Sequence, residues 1–558
     1  MSQERPAVKM PVKKRSKFPP FLLNLAAILF ASLLFAASFP NLLFENGLPI
    51  LAWIAYIPVF WTISRVSIAG SCFWGALYGY SAYGLFNYWL SVFHPLAGLI
   101  VGSIYLVYMA LLFPLLRLAL VFFPRKGYLL QWLLWMAFEY LRTRGFLGYS
   151  YGVTGYSQWQ LLPVIQIASL VGVWGVSALV VFPSAWIAAA IGASAFGGTS
   201  FQGFFRREWV SATVWLVLLA ASLIYGIAAR VDYSGARQVR VALIQHNTDP
   251  WAPSKAPTPA QAFEEYRVDF RILRRLSDEA LAAHPDTELV VWSETAFVPR
   301  IYWHTNFRDD PVSWELVKEL LDYLGKQAIP FVIGNDDARK DYILNPDSWD
   351  NRVDYNAVML FERGEMKALY RKLHLVPFTE HFPYEKQLPW IYRALKNADT
   401  HFWEKGNEAT VFETNGIKFS SPICFEDTFG YLSRDFVRNG AELIVNLSND
   451  AWSKSVPAQM QHLSMAVFRA VENRRAMVRS TASGQTCAVD PNGRILAMAE
   501  PFTESYLYAS VPLVDAVTFY TWHGDFLGVF FAWAAFFLLI TGALLYIIGL
   551  LRRRSPER

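Results

Sequence analysis

The chain has 558 residues, of which 54% are apolar, 16% aromatic and 17% charged, with a formal charge of +5. This composition excludes a disordered chain, three cysteines exclude a disulfide framework, and so small a charge excludes a nucleic-acid footprint. The averages conceal two halves, because residues 20–230 hold only twelve charged side chains, nine basic and three acidic, without one Asp.

Residues 1–19 form a basic arm containing KKRSK. A spanning helix needs about 20 predominantly apolar residues. The pattern predicts seven between 20 and 230, near 20–38, 48–64, 70–90, 97–122, 128–143, 162–195 and 209–229. A further span at 524–551 includes a charge-free run from Phe526 to Leu551, and a basic tail, 552–558, follows. The total is eight, seven plus one. The arm, Arg65, Arg125-Lys126, Arg206-Arg207 and the terminal arginines fall on one side, which the positive-inside rule makes cytoplasmic. Both termini are then cytoplasmic and residues 231–520 lie outside. Further spans follow the first at once, so it reads as a retained anchor rather than a cleaved signal.

Arg142 and Arg144 fall on the opposite side, as interfacial anchors or as cations kept for a headgroup phosphate. Glu139 is a carboxylate inside a span, which marks it as a functional candidate. Its alternatives are a helix-packing hydrogen bond or a salt bridge to Arg142.

After residue 230, short β-branched runs alternate with amphipathic stretches, the pattern of an α/β layer fold. Strands are predicted at 239–247, 288–294, 331–335, 355–362, 417–426 and 441–449, and helices near 259–283, 312–326 and 457–473. Several strands run straight into polar residues, where α/β sheets place their chemistry. Cys424 sits where an apolar strand gives way to Glu426-Asp427, a corner that suits a nucleophilic thiol, although a buried structural cysteine is the commoner case. Cys72 and Cys487 lie in a span and in a strand-like run, and read as structural. Glu294 ends a buried strand, where desolvation raises a carboxylate toward general-base range. Lys372 lies in LYRKLHLVPF, whose apolar neighbours would hold its ammonium as a fixed charge for an oxyanion. No zinc pattern, nucleotide loop or Rossmann glycine pattern competes, and no cofactor is expected.

These three segments resemble the Glu-Lys-Cys triad of the nitrilase superfamily of carbon–nitrogen hydrolases. VVWSETAFVP is similar to the family's W-P-E-[TS] segment, YRKLHLVPFTEHFP (370–383) to Y-x-K-x-H-L-V-P-F-G-E-x-x-P, and ICFE to I-C-Y-E. LSNDAW (447–452) and the run from Gln461 to Gly484 complete a set that, in a seven-plus-one membrane frame, resembles the apolipoprotein N-acyltransferase family. Ser293, Thr379, Phe425 and His246 depart from its pattern, Phe425 by lacking a hydroxyl.

The resemblance implies an eight-span membrane domain carrying an inserted nitrilase-like αββα sandwich at 231–520. It implies acyl transfer from the sn-1 position of a phospholipid, phosphatidylethanolamine in particular, to the α-amine of a diacylglyceryl-cysteine on an apolipoprotein. Glu294, Lys372 and Cys424 would be catalytic, with Glu380 and Glu426 as supporting acids. Phe425, Trp292, Trp452, Glu139 and Arg142 are the candidate substrate-binding residues. The location implied is a bacterial inner membrane, with the catalytic domain periplasmic and the protein monomeric. The apolar stretch 382–402 reads as a membrane-dipping lid or as an ordinary packed helix. The rival readings are a membrane-tethered amidase of the same superfamily and a transporter with a fused sensor domain, although no internal repeat supports the latter.

Overall fold

The computed structural model describes residues 20–93, 95, 97–196, 200–249, 259–308, 310–340, 352–397 and 401–554. The basic arm and the last four residues of the tail lie outside the described residues.

Among the described residues, five helices are long and apolar enough to cross a membrane: Pro20–Ser38, Ala97–Phe122, Ala168–Ser194, Phe201–Ala228 and Phe526–Arg552. The eight expected from sequence are therefore not all reached. The 48–64 segment divides into a five-residue 3-10 turn, Pro49–Trp53, and a nine-residue helix, Ile57–Arg65. The segment near 128–143 gives a helix of only 15 residues, Gly127–Leu141. Ile68–Phe86 has 19 residues, but its tyrosines and glycines dilute its hydropathy. Those glycines serve packing instead: a Cβ on Gly79 would stand 2.1 Å from the Tyr105 carbonyl oxygen, so glycine lets this helix press against Ala97–Phe122.

Among the described residues, the polar half contains two six-stranded sheets. Its strands are β1 Gln238–Gln245, β2 Leu289–Trp292, β3 Phe331–Lys340, β4 Arg352–Glu362, β5 Glu365–Arg371 and β6 Val411–Thr414. The remaining six are β7 Ile417–Ser420, β8 Leu443–Ser448, β9 Ala476–Thr481, β10 Cys487–Val489, β11 Ile495–Met498 and β12 Ser505–Pro512. The sheets run β12-β1-β2-β3-β4-β5 and β11-β10-β9-β8-β7-β6, each with three parallel strands at its centre and antiparallel strands outside. Alternation along β1 and β2 sends Val241, Leu243, Leu289 and Val291 into the core shared by the sheets. Ala242, Ile244, Val290 and Trp292 face the opposite way, into a core with helices Pro259–Ala283 and Pro311–Gly325. The second of these starts where Asp310 accepts a hydrogen bond from Val312 N at 3.0 Å and Pro311 occupies the first helical position.

Helix Val456–Asn473 decides how the halves join. It packs on the second sheet's strands and on the membrane helix Ala168–Phe196, so nearly every side chain along it is buried. A helix enclosed on all sides must pair whatever charges it carries. Arg469 accordingly meets Glu472 Oε2 at 3.1 Å and Tyr156 Oη at 3.0 Å, and Glu472 accepts from Val173 N at 3.2 Å.

Candidate active site

The strand ends of the two sheets converge on one cluster. Glu294 lies two residues beyond β2, Lys372 immediately beyond β5 and Cys424 four residues beyond β7. Glu294 Oε1 accepts from Asn356 Nδ2 at 2.8 Å and from Lys372 Nζ at 3.4 Å, and its Oε2 accepts from Asn449 N at 2.8 Å. The Cys424 thiol is its electrostatic neighbour. Burial pushes the Glu294 carboxyl above its usual range, the nearby ammonium notwithstanding. Three donors thus confine the carboxylate.

Lys372 is completely buried, and its ammonium donates to Glu380 Oε1 at 2.7 Å as well as to Glu294. Burial alone would depress an ammonium, but Glu380 and Glu294 outweigh it and the pKa rises, so this lysine is a permanent cation. Glu380 is fixed in turn by Val376 N at 2.9 Å.

Cys424 opens a five-residue 3-10 helix, Cys424–Thr428, with its backbone at φ +49°. A side chain held in this left-handed region is costly, and such strain concentrates at functional sites. The half-buried thiol is held well above its usual pKa by burial first and by Glu294 second, against Lys372 and a hydrogen bond to Ser448. A free thiolate is therefore disfavoured at rest.

Glu426 touches neither the lysine ammonium nor the sulfur. Its oxygens accept from Ile423 N at 2.7 Å, Leu373 N at 2.7 Å, His374 N at 2.9 Å and Tyr370 Oη at 2.8 and 2.9 Å. It thus ties the residue before Cys424 to the residues after Lys372, and burial pushes its carboxyl up to about 7.

Of the remaining candidates, Phe425 is buried against His374 and Phe429, with ring centroids at 5.8 and 5.0 Å. Trp452 lies 5.7 Å from Trp89 of the membrane half, and Trp89 in turn lies 5.6 Å from Tyr151. Trp292 does not join the cluster. Its indole is buried on the outer face of the sheet and donates to Ser277 Oγ at 3.0 Å, because period-two alternation points it away from the sandwich interior. Glu139 accepts from the backbone and hydroxyl of Thr154 rather than from Arg142. Arg142 donates to Tyr105 Oη at 2.7 Å and to the Tyr149 and Tyr151 carbonyls at 2.9 and 2.8 Å. Both are thus built into the packing of the membrane half.

Two departures from the family pattern meet each other: His246 Nε2 lies 2.9 Å from Ser293 Oγ, and burial lowers the imidazole to about 4. In the segment 382–402, helix Pro389–Asn397 buries none of its side chains and exposes Trp390, while residues 398–400 lie outside the described residues. Phe146 of the membrane half meets Phe378, Phe382 and Tyr384 just before it, at 5.3, 6.1 and 5.5 Å.

A family profile described as carbon-nitrogen hydrolase matches residues 240–519. A second, the apolipoprotein N-acyltransferase N-terminal domain, matches residues 31–186. Apolipoprotein N-acyltransferase 1 of Treponema denticola is 44% identical over 528 residues, covering 92% of this chain and 95% of its own length. The chain belongs to the apolipoprotein N-acyltransferase family. Apolipoprotein N-acyltransferase 1 of Treponema pallidum is 46% identical over 548 residues, covering 96% and 97% of the two chains. The apolipoprotein N-acyltransferase of Geobacter metallireducens is 32% identical over 545 residues, covering 94% and 95%. Membership embraces both halves, the membrane helices and the sandwich that carries the cluster.

Asn356, Asn449 and Gly334 were not singled out from sequence. Gly334 is the least visible, because only the fold reveals that β3 crosses directly beneath Glu294 there, where a Cβ would stand 2.3 Å from the Ser293 carbonyl oxygen. Asn449 sits inside the conspicuous LSNDAW motif, which is the signal that could have found it.

Proposed function

We propose that this acyltransferase moves a fatty acyl chain from a phospholipid to the α-amine of a diacylglyceryl apolipoprotein through a thioester on Cys424. The observation that carries this reading is the convergence of one carboxylate, one permanent cation and one strained cysteine in a buried site. As the sulfur attacks the sn-1 ester carbonyl, Glu294 takes the thiol proton and Lys372 faces the developing oxyanion. The C–O bond then breaks, Glu294 returns the proton to the departing lysophospholipid oxygen, and a thioester remains. In the second half, the incoming amine attacks the thioester carbonyl, Glu294 accepts its proton, and the thiol is regenerated. An α-amine with a pKa near 7.7 to 8.0 is already neutral to the extent of roughly a tenth at pH 7, so the base faces a modest demand.

The membrane half supports the same reading. Both substrates carry acyl chains whose exposure to water costs about 0.8 kcal/mol per CH₂. The basic loops support a cytoplasmic location for both termini and a periplasmic one for the sandwich. The segment around Trp390 suits an apolar lid over the site, and phosphatidylethanolamine is the donor we favour. The chain would work as a monomer. The test is transfer itself: purified protein, phospholipid and a diacylglyceryl-cysteine peptide should give an amide-linked third acyl chain. Hydrolysis of simple amides without lipid-dependent amine acylation would establish the amidase instead.

A further inference from the structure

Directly behind the nucleophile lies a second buried cluster that the chemistry above does not use. Asp427 shares the 3-10 helix of Cys424, Asp450 follows β8, Arg479 lies in β9, and His462 comes from the enclosed helix Val456–Asn473. His462 Nε2 is 2.8 Å from Asp427 Oδ1 and its Nδ1 is 3.0 Å from Asp450 Oδ1. Arg479 Nε reaches Asp427 Oδ2 at 3.0 Å, and its terminal nitrogens reach Asp450 Oδ2 at 3.4 Å. Ser448 donates to Asp450 Oδ1 at 3.2 Å. All four charged side chains are at most 4% exposed.

Carboxylate oxygens at ion-pair distance from both ring nitrogens favour the imidazolium over the neutral ring. The cluster then holds two positive and two negative charges and is neutral. Arg479 Nη2 also comes within 2.9 Å of His462 Nδ1, an approach of two cations that only the flanking carboxylates make tolerable. The remaining groups facing the imidazole are neutral: Tyr151 from the membrane half, at 6.2 Å between ring centroids, and Cys424 beyond Asp450. His462 is raised to about 9 by Asp427 and Asp450, against burial and Arg479, while Asp450 is held down to about 2 chiefly by His462 and Arg479.

We propose that His462 is a positioning residue for the nucleophile, acting as a fixed cation that clamps the turn carrying Cys424 and cancels the Asp450 charge behind its sulfur. The clamp is geometric, because Asp427 stands three residues after a cysteine whose left-handed backbone needs an external hold. The cancellation is electrostatic. Without the imidazolium, one uncompensated negative charge faces a thiol that must become a thiolate-like nucleophile, and in a buried setting such a charge opposes ionisation strongly.

The inference rests on Cys424 as the nucleophile, but its test reads the thiol directly and needs no acyl transfer. Full-length wild-type protein, His462→Gln and the double variant His462→Gln/Asp450→Asn are treated with iodoacetamide from pH 6 to pH 10, and alkylation is followed on the Cys424 peptide. The single variant should react at least tenfold more slowly at pH 8, with its profile displaced to higher pH. The double variant, relieved of the uncompensated carboxylate, should recover most of the lost rate. A His462→Gln profile identical to wild type overturns the proposal, as does a double variant no faster than the single one. Loss of acyl transfer with an unchanged alkylation profile would also overturn it, placing the role of His462 elsewhere. Absence of a Cys424 thioester in wild type would instead defeat the nucleophile assignment and leave the alkylation result standing.

Discussion

Gly334→Ala isolates the position of Glu294, the proposed general base, without touching any polar group of the site. The added methyl would stand 2.3 Å from the Ser293 carbonyl oxygen, 2.7 Å from Glu294 Cα and 2.7 Å from Thr295 N. All three are backbone atoms, so no side-chain rotation relieves the overlap. Restoring ordinary contact requires β3 and the chain at Glu294 to separate by about 1 Å, since carbon atoms pack at roughly 3.5 to 4.0 Å. Overpacking of this kind costs about 1–3 kcal/mol of stability. The larger effect is on chemistry, because a 1 Å misplacement of a reacting group costs on the order of a hundredfold in rate. The assay is lipid-dependent acylation of a diacylglyceryl-cysteine peptide by full-length protein, with thermal melting recorded alongside. Turnover should fall roughly a hundredfold while the protein stays folded. Gly235→Ala, whose Cβ would meet nothing within 4 Å, should be silent in both measurements. Wild-type turnover in Gly334→Ala would refute the claim that Glu294 must be held where it is.

Three further outcomes are expected. Lys372→Arg should lose transfer by about a hundredfold or more despite keeping its charge, because a planar guanidinium cannot replace a compact ammonium between Glu294 and Glu380; wild-type turnover would mean that bulk charge suffices. His462 is raised in the folded state, so its contribution to stability is complete below its unfolded pKa near 6.5 and is lost as pH rises toward 9. That loss amounts to roughly 3 kcal/mol at 1.36 kcal/mol per pH unit, so melting temperature should fall between pH 6.5 and pH 9 in wild type and fall less in His462→Gln, and parallel curves would contradict it. A topology reporter fused at Asn397 should register outside the cytoplasm, and a cytoplasmic signal would invert the assigned orientation.

Much of the sandwich was legible because its strands and helices keep their periods. The helix expected near 457–473 is Val456–Asn473, and the strand expected at 331–335 begins at Phe331 but continues to Lys340. The expected strand 417–426 breaks after Ser420, since Cys424 needs a left-handed backbone that no β-period announces. β5, β6, β9, β11 and β12 escaped notice, the outer ones because such strands carry weak alternation and the inner β9 because it is buried throughout and shows none. In the membrane half, composition located the apolar segments but not their lengths, which depend on Gly-mediated packing and on turns such as Pro49–Trp53. The candidate site was legible as three motif residues. The shell that holds them was legible only in part: His462 and Arg479 lie in the matched run from Gln461 to Gly484, but they, Asn356 and Gly334 come from separate elements, and only the folded chain makes them neighbours.

The central claim is a covalent intermediate on Cys424, and the mass of the protein tests it most directly. Full-length protein is incubated with phospholipid in the absence of acceptor, digested, and examined by mass spectrometry with and without hydroxylamine. A fatty acyl mass should appear on the Cys424 peptide and vanish with hydroxylamine, and neither Cys72 nor Cys487 should carry it. Addition of a diacylglyceryl-cysteine peptide should discharge it into an amide. If the peptide amine is acylated while the Cys424 peptide never gains the acyl mass, transfer is direct and the account is wrong.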